Sequence, residues 1–129
     1  MKTKIAISLC LLTLSSLSFA HGMNKYGPNG GYVKMPGAFH TELVDKGAKM
    51  HVYLLDMNFK NPTVINSIVK IVYKGTSNTE YSCSKDSNYF VCDKPSGGLM
   101  GYKEIAISAV RNNNKAMVAI YNLPLKLDK

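Results

Sequence analysis

Only three histidines occur in the 129-residue chain, His21, His40 and His51. The first follows Ser18-Phe19-Ala20, a small-x-small pattern of the kind at which a leader is removed. Cleavage after Ala20 would make His21 the amino terminus. One residue would then offer two nitrogens, the α-amine and imidazole Nδ1, which together close a chelate ring on a metal ion. An α-amine has a pKa of about 7.7–8.0, so a metal can displace its proton at neutral pH. Nitrogen donors in a square-planar set suit Cu(II), which heads the divalent affinity order. A further imidazole from His40 or His51 would complete a three-nitrogen site. Glu42 could act as an axial ligand or fix a histidine tautomer. The Met23 thioether, two residues from His21, would suit Cu(I). Each donor alone has an ordinary explanation, since a single histidine often does nothing and scattered methionines usually fill a core. Taken together, the donors lead to an expectation of copper, with another divalent metal as the variant.

The elements that must position these donors begin after residue 20. Lys2 and Lys4 followed by the apolar run 5–14 read as a secretory leader, too short for a membrane anchor, which places the remainder, 21–129, in the periplasm or outside the cell. Gly22 and the Gly- and Pro-rich stretch to Pro36 read as an arm able to fold onto a sheet. Residues 39–44 and 50–57 read as two strands joined by Asp45-Lys46-Gly47-Ala48, a polar turn signal. Alternation puts Phe39, Thr41, Leu43, Met50, Val52 and Leu54 on a core face and His40, Glu42, His51 and Tyr53 on the other. A turn over 45–48 sets Glu42 opposite His51 and His40 opposite Tyr53, with the two histidines as diagonal neighbours.

Further strands follow with turn signals between them. Residues 68–74 alternate with Val69, Ile71 and Tyr73 inward, and 104–111 with Ile105, Ile107 and Ala109 inward. The last strand spans 116–123. Cys83 and Cys92, the pair left after the leader, face each other across a predicted hairpin and read as a disulfide in an oxidising compartment. No segment has a helical period. The expected fold is all-β: a single antiparallel sandwich of about seven strands, immunoglobulin-like or cupredoxin-like, in Greek-key order.

The formal charge is +8, two lysines of it in the leader. The lysines are scattered singly, without a basic run, so nucleic acid is not the expected partner. No second apolar run is long enough for stable membrane insertion.

The segments Gly27-Pro28-Asn29-Gly30-Gly31 and Gly37-Ala38-Phe39-His40-Thr41-Glu42-Leu43-Val44 resemble a Gly-Pro-x-Gly-Gly … His-x-Glu-Leu signature near the start of some periplasmic adaptor subunits of heavy-metal efflux pumps. A mature His-Gly start on a small β-sandwich is similar to the CopC-like copper-resistance proteins, which bind Cu(II) through an amino-terminal histidine. The resemblance implies a copper carrier, buffer or accessory that meets a metal efflux or metal-delivery component. One departure stands out: residues 115–125 carry no histidine or acid, so donors that family draws from its C-terminal half are missing. The start also resembles the copper monooxygenases of polysaccharides, but 21–129 leaves little room for their broad binding face. No nucleophile motif accompanies Ser, Cys or Glu42, so an enzyme is not expected. The rival reading is a metal-free sandwich that binds a protein or envelope partner through the Gly-Pro-Asn-Gly-Gly loop and Tyr26, Tyr32 and Tyr53.

Overall fold

Alternating apolar residues in short runs, broken by Gly, Asn and Pro, form strands and nothing else. A computed structural model describes residues 24–128 and contains ten strands and no helix there. They are β1 (Tyr32–Lys34), β2 (His40–Asp45), β3 (Met50–Leu55), β4 (Ile68–Gly75), β5 (Asn78–Ser82), β6 (Ser84–Asp86), β7 (Tyr89–Cys92), β8 (Tyr102–Arg111), β9 (Asn114–Lys115) and β10 (Ala119–Asn122). The first sheet runs β1-β2-β3-β7-β6 and the second β10-β8-β4-β5, with β9 beside β8; every pairing is antiparallel. Hairpins β2–β3, β4–β5 and β6–β7 alternate with crossings between sheets, which is the strand order of an immunoglobulin-like sandwich. The count exceeds the expected seven because β1, β6 and β9 are short pieces of two or three residues.

The core lies between the sheets and is built by alternation. Leu43, Met50, Val52, Leu54 and Phe90 face Val69, Ile71, Tyr73, Ile105 and Ile107, all at most 1% exposed. The core face expected for the β2–β3 hairpin is therefore correct. Burial of this apolar surface is the main stabilising term. Tyr121 of β10 also points inward, and its hydroxyl pairs with Thr41 Oγ1 at 2.8 Å and donates to the Thr41 carbonyl at 2.9 Å. One phenol thus ties the second sheet to the first.

Two local expectations are corrected. Asp45 pairs with Met50, so the loop of the first hairpin is 46–49 and not 45–48. Asp45 Oδ1 accepts the Gly47 N–H at 2.8 Å, and Gly47 has φ of 84°, so the turn tightens after Asp45. The register moves by two residues, which preserves the faces but changes every partner. Residues 80–85 are also not one strand of a cystine hairpin. The chain leaves the second sheet after Ser82 and enters the first at Ser84. Cys83 sits at that crossing, its N–H donating to the Val69 carbonyl at 3.0 Å. The Cys83–Cys92 disulfide forms as expected and fastens the crossing to buried β7. In the chain-entropy account a loop this short contributes about 2–3 kcal/mol.

Candidate functional site

Three candidate donors can be placed on the outer face of the first sheet, starting with Glu42. Its side chain is fully buried. Oε2 accepts the Asn29 and Gly31 N–H groups at 2.9 and 2.8 Å, and Oε1 accepts Asn29 Nδ2 at 2.9 Å. The 27–31 turn closes over it through Gly27 N–H to the Gly31 carbonyl (2.9 Å) and Gly30 N–H to the Gly27 carbonyl (3.0 Å). The glycines are needed for the approach: a Cβ on Gly27 would lie 2.6 Å from Glu42 Cδ, and one on Gly31 would lie 2.5 Å from the Leu43 carbonyl oxygen. The carboxylate is committed to clamping the arm and has no oxygen turned to a ligand. The spacing between Gly-Pro-Asn-Gly-Gly and His-Thr-Glu therefore has a folding explanation.

His40 is 6% exposed. Its Nδ1 lies 2.9 Å from the Asp56 carbonyl oxygen. A carbonyl can only accept, so Nδ1 carries the proton, and in the neutral ring Nε2 carries the lone pair. Among the described residues the ring makes one hydrogen bond, at Nδ1. Phe59 stacks on the ring with centroids 4.0 Å apart. Phe59 holds φ at 60°, a conformation unfavourable for a bulky residue. The loop that imposes it is organised by Asp56: Oδ1 accepts the N–H groups of Asn58 and Lys60 at 2.8 and 2.9 Å, and Oδ2 accepts Asn61 Nδ2 at 2.8 Å. Those bonds hold the Asp56 carboxyl below its ordinary range. Asp56 and Phe59 were not among the expected site residues. An Asp followed by Asn58, Lys60 and Asn61 is an Asx-turn signal that could have drawn attention to them.

His51 lies on the same face but is paired with Val44, while His40 is paired with Leu55. The two imidazoles are therefore four residues apart along the ladder, roughly 13 Å at about 3.3 Å per residue. The expected diagonal contact is absent, and Glu42 lies opposite Tyr53 rather than His51. His51 instead stacks on Tyr89 with centroids 4.6 Å apart, and Tyr89 also meets Tyr53 at 5.2 Å. Burial and the Lys46 cation hold the His51 imidazole below its ordinary value, against the pull of Asp86.

His21 and Met23 lie outside the described residues. Among the described residues no three His, Cys, Asp or Glu side chains gather closely enough to hold a metal ion. Among them too, no helix is long and apolar enough to cross a membrane. Comparison of the chain with protein-family models, with curated proteins and with solved structures gave no match.

Proposed function

We propose that this protein binds copper in the cell envelope, with Cu(II) taken by the amine and imidazole of a mature His21 together with Nε2 of His40, and that it serves as a carrier, buffer or efflux accessory. The observation that supports this reading is the state of the His40 ring. Metal-ligating imidazoles almost always donate their other N–H to a carbonyl or carboxylate, which fixes the tautomer and the ring plane. The Asp56 carbonyl does this at Nδ1, Phe59 covers the ring from a strained conformation, and Nε2 makes no hydrogen bond among the described residues. The clamp on the arm supplies reach. Three residue steps join Asn24, the first described residue, to His21, and an extended chain covers about 3.3–3.6 Å per residue, so a span of roughly 10 Å is available. Glu42 has no part as a ligand in this arrangement, and His51 is a spectator.

The test is a Cu(II) titration of protein beginning at His21, followed by electron paramagnetic resonance. One equivalent with a nitrogen-rich signal is expected. The signal should disappear in His21→Ala and when one residue is added before His21, weaken in His40→Ala, and persist in His51→Ala. Loose binding that none of these changes would overturn the proposal. The metal-free reading would then stand, favoured by one observation: Tyr26, on the clamped arm against Tyr32, is 56% exposed.

A further inference from the structure

Asn29 and Gly30 form the one Asn-Gly pair in the chain. This is the pair most prone to lose the asparagine side-chain amide. Glycine places no Cβ beside the backbone nitrogen that follows the asparagine, so that nitrogen can close a five-membered ring on the side-chain carbon. In this fold both nitrogens of the reaction are engaged. The Gly30 N–H, on the attacking nitrogen, donates to the Gly27 carbonyl at 3.0 Å. The departing Nδ2 of Asn29 donates to Glu42 Oε1 at 2.9 Å, and the Asn29 N–H donates to Glu42 Oε2 at 2.9 Å. Attack needs the Gly30 nitrogen free of its proton and the side chain free to turn onto it, so these bonds must open first. Water is at hand, since Asn29 and Gly30 are both exposed and nothing lies within 4 Å of a Cβ built on Gly30.

From this arrangement we propose that Asn29 is a deamidation site gated by Glu42, and that its conversion turns a reversible opening of the arm into permanent release from β2. The inference does not depend on copper. Local opening breaks the bonds to Glu42 and Gly27. The Gly30 nitrogen then gives its proton to solvent base and bonds to Asn29 Cγ, the Cγ–Nδ2 bond breaks, and ammonia leaves. Water opens the resulting succinimide at either carbonyl, which leaves aspartate or isoaspartate. In sum an amide and water become a carboxylate and ammonium, with no oxidant, reductant or cofactor. Neither product re-forms the clamp. Aspartate has no N–H in place of Nδ2, so the buried Glu42 carboxylate loses a donor and gains a like charge beside it. Isoaspartate adds one atom to the main chain, inside a turn closed by Gly27 N–H to the Gly31 carbonyl at 2.9 Å.

The experiment incubates protein beginning at His21 beside a synthetic peptide spanning residues 24–34, both at mildly alkaline pH. Peptide mapping by mass spectrometry follows aspartate and isoaspartate at Asn29. The peptide has no Glu42 and gives the rate of the open form. The native protein should convert at Asn29 more slowly than the peptide by about tenfold or more, since a reaction through local opening scales with the open fraction. Glu42→Gln, its fold checked by circular dichroism, should convert several-fold faster than the native chain. Asn29→Asp, which builds one product directly, should speed hydrogen exchange at the Gly31 amide by about tenfold or more and leave the β4 amides unchanged. Native conversion as fast as in the peptide, or a Glu42→Gln protein that converts at the native rate, would overturn the gate. No conversion at Asn29 over many lifetimes of the peptide would overturn the site. Native protection of the Gly31 amide in Asn29→Asp would mean that the reaction releases nothing, which also overturns the proposal. Should Glu42→Gln fail to fold, the native and peptide rates and Asn29→Asp decide alone.

Discussion

The Glu42 carboxylate accepts the Gly31 N–H at 2.8 Å from within the outer face of the first sheet. That bond joins the two halves of the motif, the glycine turn and the β2 strand, across eleven residues of chain. It turns a Gly- and Pro-rich arm into a fixed layer over β2. Both of its oxygens accept from Asn29 or Gly31.

Glu42→Gln should therefore destabilise the fold. The amide that replaces one oxygen brings donors toward an array of N–H donors, so at least one buried polar group loses its partner. Such a loss costs about 1–3 kcal/mol. Urea unfolding should show the unfolding free energy falling by that amount, with a lower midpoint. Hydrogen exchange should show the Asn29 and Gly31 amides opening far more readily than those of β4. An unchanged midpoint would mean that the arm contributes nothing to the folded state.

Gly31→Ala tests the same contact from the other side. The added methyl would lie 2.5 Å from the Leu43 carbonyl oxygen and 2.6 Å from Val44 Cγ2. The first is backbone of a paired strand and cannot move cheaply, so about 1–3 kcal/mol of overpacking is expected. Gly97→Ala is the control: nothing lies within 4 Å of its Cβ position. That change should stay within about 0.5 kcal/mol. Thermal unfolding of the two variants side by side separates close approach from glycine content.

Alternation carried the sheet faces through to the structure because it depends only on the pleat. Val69, Ile71 and Tyr73 point inward as their spacing says, as do Ile105, Ile107 and Ala109. Partners are another matter, since they depend on where a turn closes. Asp45 looked like the first loop residue, yet its side chain accepts the Gly47 N–H while its backbone still pairs with Met50. That two-residue slip separated His40 from His51. The break at Cys83 was hidden for a similar reason: a strand that changes sheets keeps its alternation, and no Pro or Gly marks the crossing. Exposure of Met57 and Met117 was not legible either, because an apolar residue in an edge segment has the same pattern whether or not a neighbour covers it.

His51 should titrate below the ordinary histidine value of about 6.5. Burial disfavours the charged ring first, the Lys46 cation adds to this, and Asp86 opposes both. With the folded value depressed, the neutral ring is the form the fold prefers. Its contribution to stability is complete above the unfolded value and is lost as pH falls through the folded one. Two-dimensional NMR of the ring carbons should place the midpoint below that of an unstructured peptide, and Lys46→Gln should move it upward. A native midpoint at or above the peptide value would contradict the electrostatic account. So would one that ignores Lys46.

Tyr121 and Thr41 form a buried polar link between the sheets, and its strength can be measured by removing each partner. The phenol is fully buried, so desolvation pushes its ionisation well above the ordinary range and it remains a hydroxyl at any working pH. Tyr121→Phe keeps the ring in its place but leaves Thr41 Oγ1 with only the long 3.5 Å contact to the Lys34 carbonyl. A loss of about 1–2 kcal/mol is expected, the usual effect of one orphaned buried hydroxyl. Thr41→Val in the native background leaves the Tyr121 hydroxyl its bond to the Thr41 carbonyl at 2.9 Å, so that loss should be smaller. In the double variant the side-chain pair is gone from both sides, and its cost should fall below the sum of the singles by about 0.5 kcal/mol or more, the coupling of residues in contact. Denaturant unfolding of the four proteins gives the cycle directly. Strict additivity would show that the phenol stabilises the sandwich through its ring alone.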